Sequence, residues 1–247
     1  MKQENYLIPI IFLLLWSLLS YTGIISEFFI ATPSSTIVRL YELVISGDIL
    51  KDIAWTLYRI FASLFLGSVI GLSLGLLIGL SPKIWNYAQG TVDFFRSLPA
   101  FALFPFFILI FGPGDPAKIA TATWFIAFIM LISSVYAIRE ANQTRINSAR
   151  SLGATKMQTF FYVIVPEGLP QFFVGFRTSL AFAPIVIIAT EMFSGTQYGL
   201  GDRIYEARLL YQVSDMYAAL LISGIIGFSM NKLFLILMEK NIHWSGK

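Results

Sequence analysis

Apolar residues in this chain fall into long unbroken runs, without the alternation of a half-buried sheet. Runs at roughly 7–26, 55–80, 88–111, 118–138, 169–192 and 213–238 match the length of about 20 residues needed to cross a hydrocarbon core. They predict an all-α polytopic membrane protein with about six transmembrane helices. Leu7 to Ser26 carries no charge and no clear small-residue cleavage site follows it, so it reads as a retained first span. Between the first two runs, Ile37, Leu40, Tyr41, Val44 and Ile45 recur at helical spacing after Pro33 and Ser34. That spacing predicts an amphipathic helix lying at the membrane surface. The organisation is therefore a first span with an amphipathic helix over 1–54, a transmembrane domain over 55–238, and a short tail over 239–247.

Composition narrows the class. The chain is 57% hydrophobic and 13% charged, with a mean hydropathy of +0.74, whereas soluble domains carry about 25% charged residues. It has no Cys and one His, which excludes a disulfide framework and the common thiol and poly-His zinc sites. No dense basic cluster points to nucleic acid. His243 and Trp244 read as an interfacial anchor.

Cation placement orients the spans. With both termini cytoplasmic, the inner connections hold eight Lys or Arg: Lys2, Lys83, Arg139, Arg145, Arg150, Lys156, Lys240 and Lys247. The outer connections hold five, namely Arg39, Lys51, Lys118, Arg203 and Arg208. The positive-inside rule then puts residues 139–168 in the cytoplasm and 193–212 outside.

Several local patterns carry more than hydropathy. Ser63, Gly67, Gly71, Gly75 and Gly79 recur every fourth residue, a small-residue face along which another helix packs closely. Pro99 and Pro105 interrupt the third run just after Arg96 and Ser97. This is either a helix lining the pathway or a static kink. In the fifth run Arg177 and Glu191 stand 14 positions apart, about 21 Å along a helix. One reading places Arg177 near a translocation path and Glu191 at its outer gate; the other has both reaching out to opposite interfaces. Arg96, Ser97, Pro99, Arg177 and Glu191 are the candidate path residues.

The segment "INSARSLGATKMQTFFYVIVPEGLP" is the most distinctive. Ala149, Leu152 and Lys156 or Met157 share one helical face with Gly153. Gly153 costs an ordinary helix about 1 kcal/mol relative to Ala, so it reads as a turn between two short helices or as a point of close backbone approach. Pro166 is expected to end the second helix and Pro170 to open the next span.

This segment resembles the EAA loop of ABC-importer permeases, with Ala149, Gly153, Pro166, Leu169 and Pro170 at the family's positions. It departs where Asn147 and Ser148 stand in place of Glu and Ala. The blocks "FRSLPAFALFPFFILIFGPGDPAKIA", "ATEMFSGTQYGLGDRIYEAR" and "LILMEKNIHW" extend the resemblance to the nitrate, sulfonate, taurine and bicarbonate branch, over about residues 33–244. The resemblance implies a type I importer transmembrane fold with a cytoplasmic coupling helix in a loop over about 142–168. It implies ATPase contact through Asn147, Ser148, Ala149, Leu152, Gly153, Ala154, Thr155 and Met157. It further implies an inner-membrane homodimer, two cytoplasmic ATP-binding subunits that hold ATP and Mg, and an extracytoplasmic substrate-binding protein. The chain itself would hold no cofactor and catalyse nothing. Alternatives are a permease for another small solute such as a vitamin precursor, or a secondary transporter. The latter usually needs intramembrane carboxylates, for which Glu191 is the one candidate. An intramembrane enzyme is disfavoured because no convergent carboxylate pair or Cys is present.

Overall fold

The computed structural model describes residues 7–195 and 197–241, and every regular element among them is helical. Lys2, His243, Trp244 and Lys247 lie outside the described residues. The helices are α1 (Leu7–Tyr21), α2 (Pro33–Ser46), α3 (Asp48–Gly79), α4 (Pro82–Arg96), α5 (Phe104–Phe111), α6 (Asp115–Arg139), α7 (Gln143–Ser151), α8 (Lys156–Thr159), α9 (Val165–Glu191), α10 (Leu200–Leu209) and α11 (Val213–Asn241). A 3-10 turn, Ala100–Leu103, precedes α5, and a π-helical segment, Phe160–Ile164, joins α8 to α9.

Four helical stretches are long and apolar enough to cross a membrane: Asp48–Gly79, Asp115–Arg139, Lys156–Glu191 and Val213–Met238. The third run is broken, as its prolines predict. Pro82–Arg96 and Ala100–Phe111 meet at 85°, a broken span or a re-entrant loop. Pro99 stands in extended backbone at the break. Pro105 does not interrupt anything, because it occupies the first turn of α5, where a missing N–H costs no hydrogen bond. The first apolar helix stops at Tyr21, not residue 26, ahead of Gly23 in the left-handed region.

The chain divides into two compact units. One comprises the chain up to Thr56 together with Glu191–Ile226. Here Thr32 caps α2 by accepting the Ser35 N–H at 3.2 Å, Pro33 fills the first turn, and Gly47 at φ +77° ends the helix. Leu43 of α2, Ile49 of α3, Leu200 of α10 and Ala218 and Ile222 of α11 form the core. Ile37, Tyr41, Val44 and Ile45 stay exposed, leaving α2 with an apolar outer face.

The other unit comprises Leu57–Thr190 with the chain from Gly227 onward. Its axis is α6. Ile126 and Met130 pack with Ile60 and Leu64 of α3 and with Leu180, Ala183 and Ile187 of α9, while Leu131 and Val135 meet Trp85 and Val92 of α4. The glycine ladder lies against this helix. A Cβ on Gly67 would stand 2.6 Å from the Ile126 side chain, one on Gly71 would overlap the Ala127 carbonyl, and one on Gly75 would come 2.5 Å from the Leu131 carbonyl. Gly79 is looser, 3.0 Å from Ile138. On a neighbouring face of α6, Gly168 and Gly175 of α9 approach Ala137 and Ser133. Close backbone approach on two sides is how helices gain packing energy where lipid offers no hydrophobic drive.

Candidate functional site

The loop 140–168 folds as a helical hairpin. Asn142 caps α7, its side-chain oxygen accepting the N–H groups of Thr144 and Arg145 at 2.9 and 3.3 Å. The helix closes in a Schellman motif: the Ala154 N–H reaches the Ala149 carbonyl and the Gly153 N–H reaches Arg150, both at 3.0 Å. Gly153 adopts φ +83°, which L side chains resist, and a Cβ there would meet nothing within 4 Å. The glycine thus serves the turn, and the helical face expected to run from Ala149 through Met157 is interrupted at this residue. Thr155 then opens α8 with a capping box, exchanging hydrogen bonds of 3.2 and 2.8 Å with Gln158.

Pro166 does not end this second helix. The chain runs as helix from Lys156 to Glu191, and Pro170 and Pro184 lie inside α9. The π segment explains the continuity. The Val165 N–H bonds back to the Phe160 carbonyl, five residues away, and this widened turn makes room for a proline ring that a regular turn would exclude.

The hairpin is anchored at its base and bare at its tip. Ile146 and Thr159 are buried. Arg145 Nη1 lies 3.4 Å from Glu167 Oε1, tying α7 to the start of α9. Leu152 and Met157 are 88% and 66% exposed, beside the polar run of α7. A shallow groove of about 350 Å³ brings together Ala149, Leu152, Gly153 and Ala154 from the expected contact set. Gln158 and Tyr162 join it, which sequence reading had not singled out. Asn147, Ser148, Thr155 and Met157 lie outside that groove on exposed surface.

The candidate path residues do not form one cluster. Arg96 is exposed and paired with Asp93 at 3.2 Å, and the Ser97 hydroxyl donates to the Asp93 carbonyl at 2.7 Å. Arg177 is exposed and donates from Nε to Asn231 Oδ1 of α11 at 3.2 Å. Glu191 is fully buried and does not reach out to an interface. Its carboxylate accepts the Thr56 hydroxyl and, at 2.9 Å, the Gly201 N–H.

That last contact belongs to a larger construction. Helix α10 has no capping side chain of its own at Gly199. Asp52 accepts the Gly199 N–H, Thr56 accepts the Leu200 N–H and Glu191 accepts the Gly201 N–H, at 3.0, 3.0 and 2.9 Å. Asp52 and Thr56 lie one turn apart on α3, so a single helix face supplies two caps. Arg203 then bridges Asp52 at 2.7 Å and Asp215 at 3.4 Å, and Arg39 of α2 reaches Asp215 at 2.9 Å. The Arg39 pKa is raised chiefly by the hydrogen bond it donates to Asp215. For Arg203, burial works against the charge, but Asp52 and Asp215 outweigh it and the pKa is also raised. A separate buried cation pair was hidden from hydropathy. Arg59 donates to Asp115 at 2.8 Å, and Lys118, expected on an outer connection, is fully buried within α6, 3.9 Å from the same carboxylate.

The helices define a polytopic α-helical membrane protein with an exposed helical hairpin between two of its spans. The chain belongs to the family described as "Binding-protein-dependent transport system inner membrane component", whose sequence pattern matches residues 67–241, and is therefore the permease subunit of an ABC importer. It is 27% identical over 242 residues to a Bacillus subtilis protein named as an aliphatic sulfonates transport permease, SsuC, covering 98% of this chain and 87% of that one. It is 26% identical over 249 residues to the bicarbonate transport system permease protein CmpB of Synechocystis, covering 94% and 87%. Among solved structures, the MetNI methionine ABC transporter in inward-facing conformations shares the fold, with a TM-score of 0.67 at 24% identity over 78% of this chain and 95% of that one.

Proposed function

We propose that two copies of this chain form the translocation path of an ATP-driven importer for a small anion of the sulfonate, taurine, bicarbonate or nitrate class. The anion class rests on the relatives named for sulfonates and bicarbonate. Substrate is delivered by an extracytoplasmic binding protein, and ATP and Mg are held by two cytoplasmic ATPase subunits. This chain contributes no catalytic group, and both its termini face the cytoplasm.

The observation that carries the mechanism is the hairpin's construction. Leu152 and Met157 are exposed apolar side chains on a rigidly closed turn, and a bare apolar tip on a polar segment fits a groove in a partner. The tip then continues without a break into a membrane span, Lys156–Glu191, 36 residues long. A displacement imposed by the ATPases at Leu152 therefore moves α9 as a rod, with Arg145–Glu167 keeping α7 in step. Arg177 on α9 and Arg96, Ser97 and Pro99 at the 85° break are the groups we assign to the path. Glu191 we assign to holding α10, since its carboxylate is committed to Thr56 and Gly201.

Reconstitution tests this reading. Vesicles holding the chain, its ATPase and its binding protein should take up a labelled sulfonate or bicarbonate only with internal ATP. Uptake by the chain alone, without ATPase, would show a secondary transporter instead.

A further inference from the structure

A second cleft, of about 540 Å³, opens behind the hairpin between the C-terminal ends of α3 and α6 and the start of α8. Arg139, Arg150 and Lys156 line it, and none of the three forms an ion pair among the described residues. Its remaining wall includes Leu80, Ile146 and Phe160 and contains no carboxylate. Arg139 also sits 6.0 Å over the ring of Trp85, which leaves its charge unneutralised.

We propose that this cleft binds the phosphodiester headgroup of an anionic phospholipid, with Arg139, Arg150 and Lys156 as its ligands. Charge decides the sign. Two helix C-termini bring about half a negative charge each, against three full positive charges, so the cleft remains cationic. Position and polarity decide the source. Both α3 and α6 are spans that end here, so the cleft sits where headgroups meet the protein. Its apolar wall also suits the glycerol and first methylenes of a lipid, which free phosphate or sulfate lacks. Basic pockets between spans are a recognised mode of headgroup capture. The site is separate from the exposed tip, because Leu152 and Met157 do not line it.

The purified full-length chain in a neutral detergent tests this, titrated separately with dioleoyl-phosphatidylglycerol, dioleoyl-phosphatidylcholine and sodium sulfate. Phosphatidylglycerol alone should raise the melting temperature and remain bound in native mass spectra. Each cation adds about a fivefold gain in affinity at such a surface, so the triple variant Arg139→Gln/Arg150→Gln/Lys156→Gln should bind about a hundredfold more weakly. If the variant retains phosphatidylglycerol as the parent does, the cleft is not the site. If sulfate reproduces the shift, a free anion is the ligand and the lipid assignment fails. A measurement on the unmutated cleft guards against misfolding: in a chain whose Trp16, Trp55, Trp124 and Trp244 are Phe, phosphatidylglycerol spin-labelled near the headgroup should quench Trp85. Equal quenching by the matching phosphatidylcholine overturns the proposal.

Discussion

The Thr56 hydroxyl donates to Glu191 across 135 positions of sequence, lying 2.9 and 3.0 Å from the two carboxylate oxygens, and both residues are fully buried. The same hydroxyl accepts the Leu200 N–H, so one turn of α3 and the last residue of α9 jointly cap α10. Glu191→Ala leaves two buried donors, on Thr56 and Gly201, without an acceptor. At about 1–3 kcal/mol for each such group, the variant should lose roughly 2–6 kcal/mol of stability. Glu191→Gln keeps one acceptor oxygen and should lose less. Thermal unfolding in detergent ranks the two, and equal melting temperatures for Ala and parent would contradict the capping role.

Arg203 serves two buried carboxylates, Asp52 and Asp215. Arg203→Gln takes the bridging cation from both, leaving Asp52 to the Gly199 N–H and Asp215 to Arg39, and should cost about 3 kcal/mol. The raised pKa values of Arg39 and Arg203 fix the pH dependence. A cation whose folded pKa exceeds its unfolded value contributes fully below the unfolded value and loses that contribution only as pH rises through the folded one. The destabilisation should therefore be constant between roughly pH 6 and 9. Unfolding midpoints across that range check it, and a loss that fades toward pH 9 would be inconsistent.

The two glycine environments separate packing from backbone entropy. Gly71→Leu drives a side chain into the Ala127 carbonyl, and α3 cannot then seat on α6. No folded protein should survive detergent extraction. Gly90 in α4 meets nothing within 4 Å, so Gly90→Ala should leave stability unchanged or raise it by about 0.5–1 kcal/mol. Size-exclusion profiles and melting curves of the two variants give the answer; a well-folded Gly71→Leu would mean that the ladder is not held against α6.

At Gly153 backbone conformation is the constraint. Any L residue at φ +83° is strained by about 1–2 kcal/mol, with Asn the best tolerated. Gly153→Asn should keep ATPase binding near the parent level, Gly153→Ala should weaken it, and Gly153→Trp should abolish it by adding bulk to the groove as well. Membrane insertion should be unaffected in all three. ATPase co-purification orders them, and an unimpaired Gly153→Trp would show that the turn lies outside the interface.

How much of this was legible beforehand follows from what each feature depends on. Long apolar runs and the four-residue glycine spacing are local signals, so most of the helices and the α3 face could be read directly, whereas Gly153 read equally as a turn or a close approach until its φ of +83° and open surroundings decided for the turn. The course of α9 could not, because prolines at 166 and 170 normally mark a helix boundary, and only the π turn at Phe160–Ile164 carries the chain past them. The α10 caps were illegible for another reason. Asp52, Thr56 and Glu191 look like unrelated polar residues until the fold brings them to three successive N–H groups. Lys118 misled for the same cause, since a charge at a span end reads as solvated unless its burial against Asp115 is known. Within the hairpin, Leu152, Ala149 and Ala154 followed from the family pattern, whereas Gln158 and Tyr162 enter the groove only through the way α8 is capped.

The central claim is that ATPases drive transport by gripping the apolar tip of the hairpin. The most direct measurement is ATPase co-purification and ATP-driven uptake for Leu152→Ser/Met157→Ser beside Lys156→Ala. A buried apolar anchor is worth about 2 kcal/mol or more, so the double variant should bind the ATPase at least thirtyfold more weakly and lose uptake. Lys156→Ala, which removes only a charge outside the groove, should dock as the parent does. Normal docking by the double variant, with docking lost in Lys156→Ala, would contradict the account.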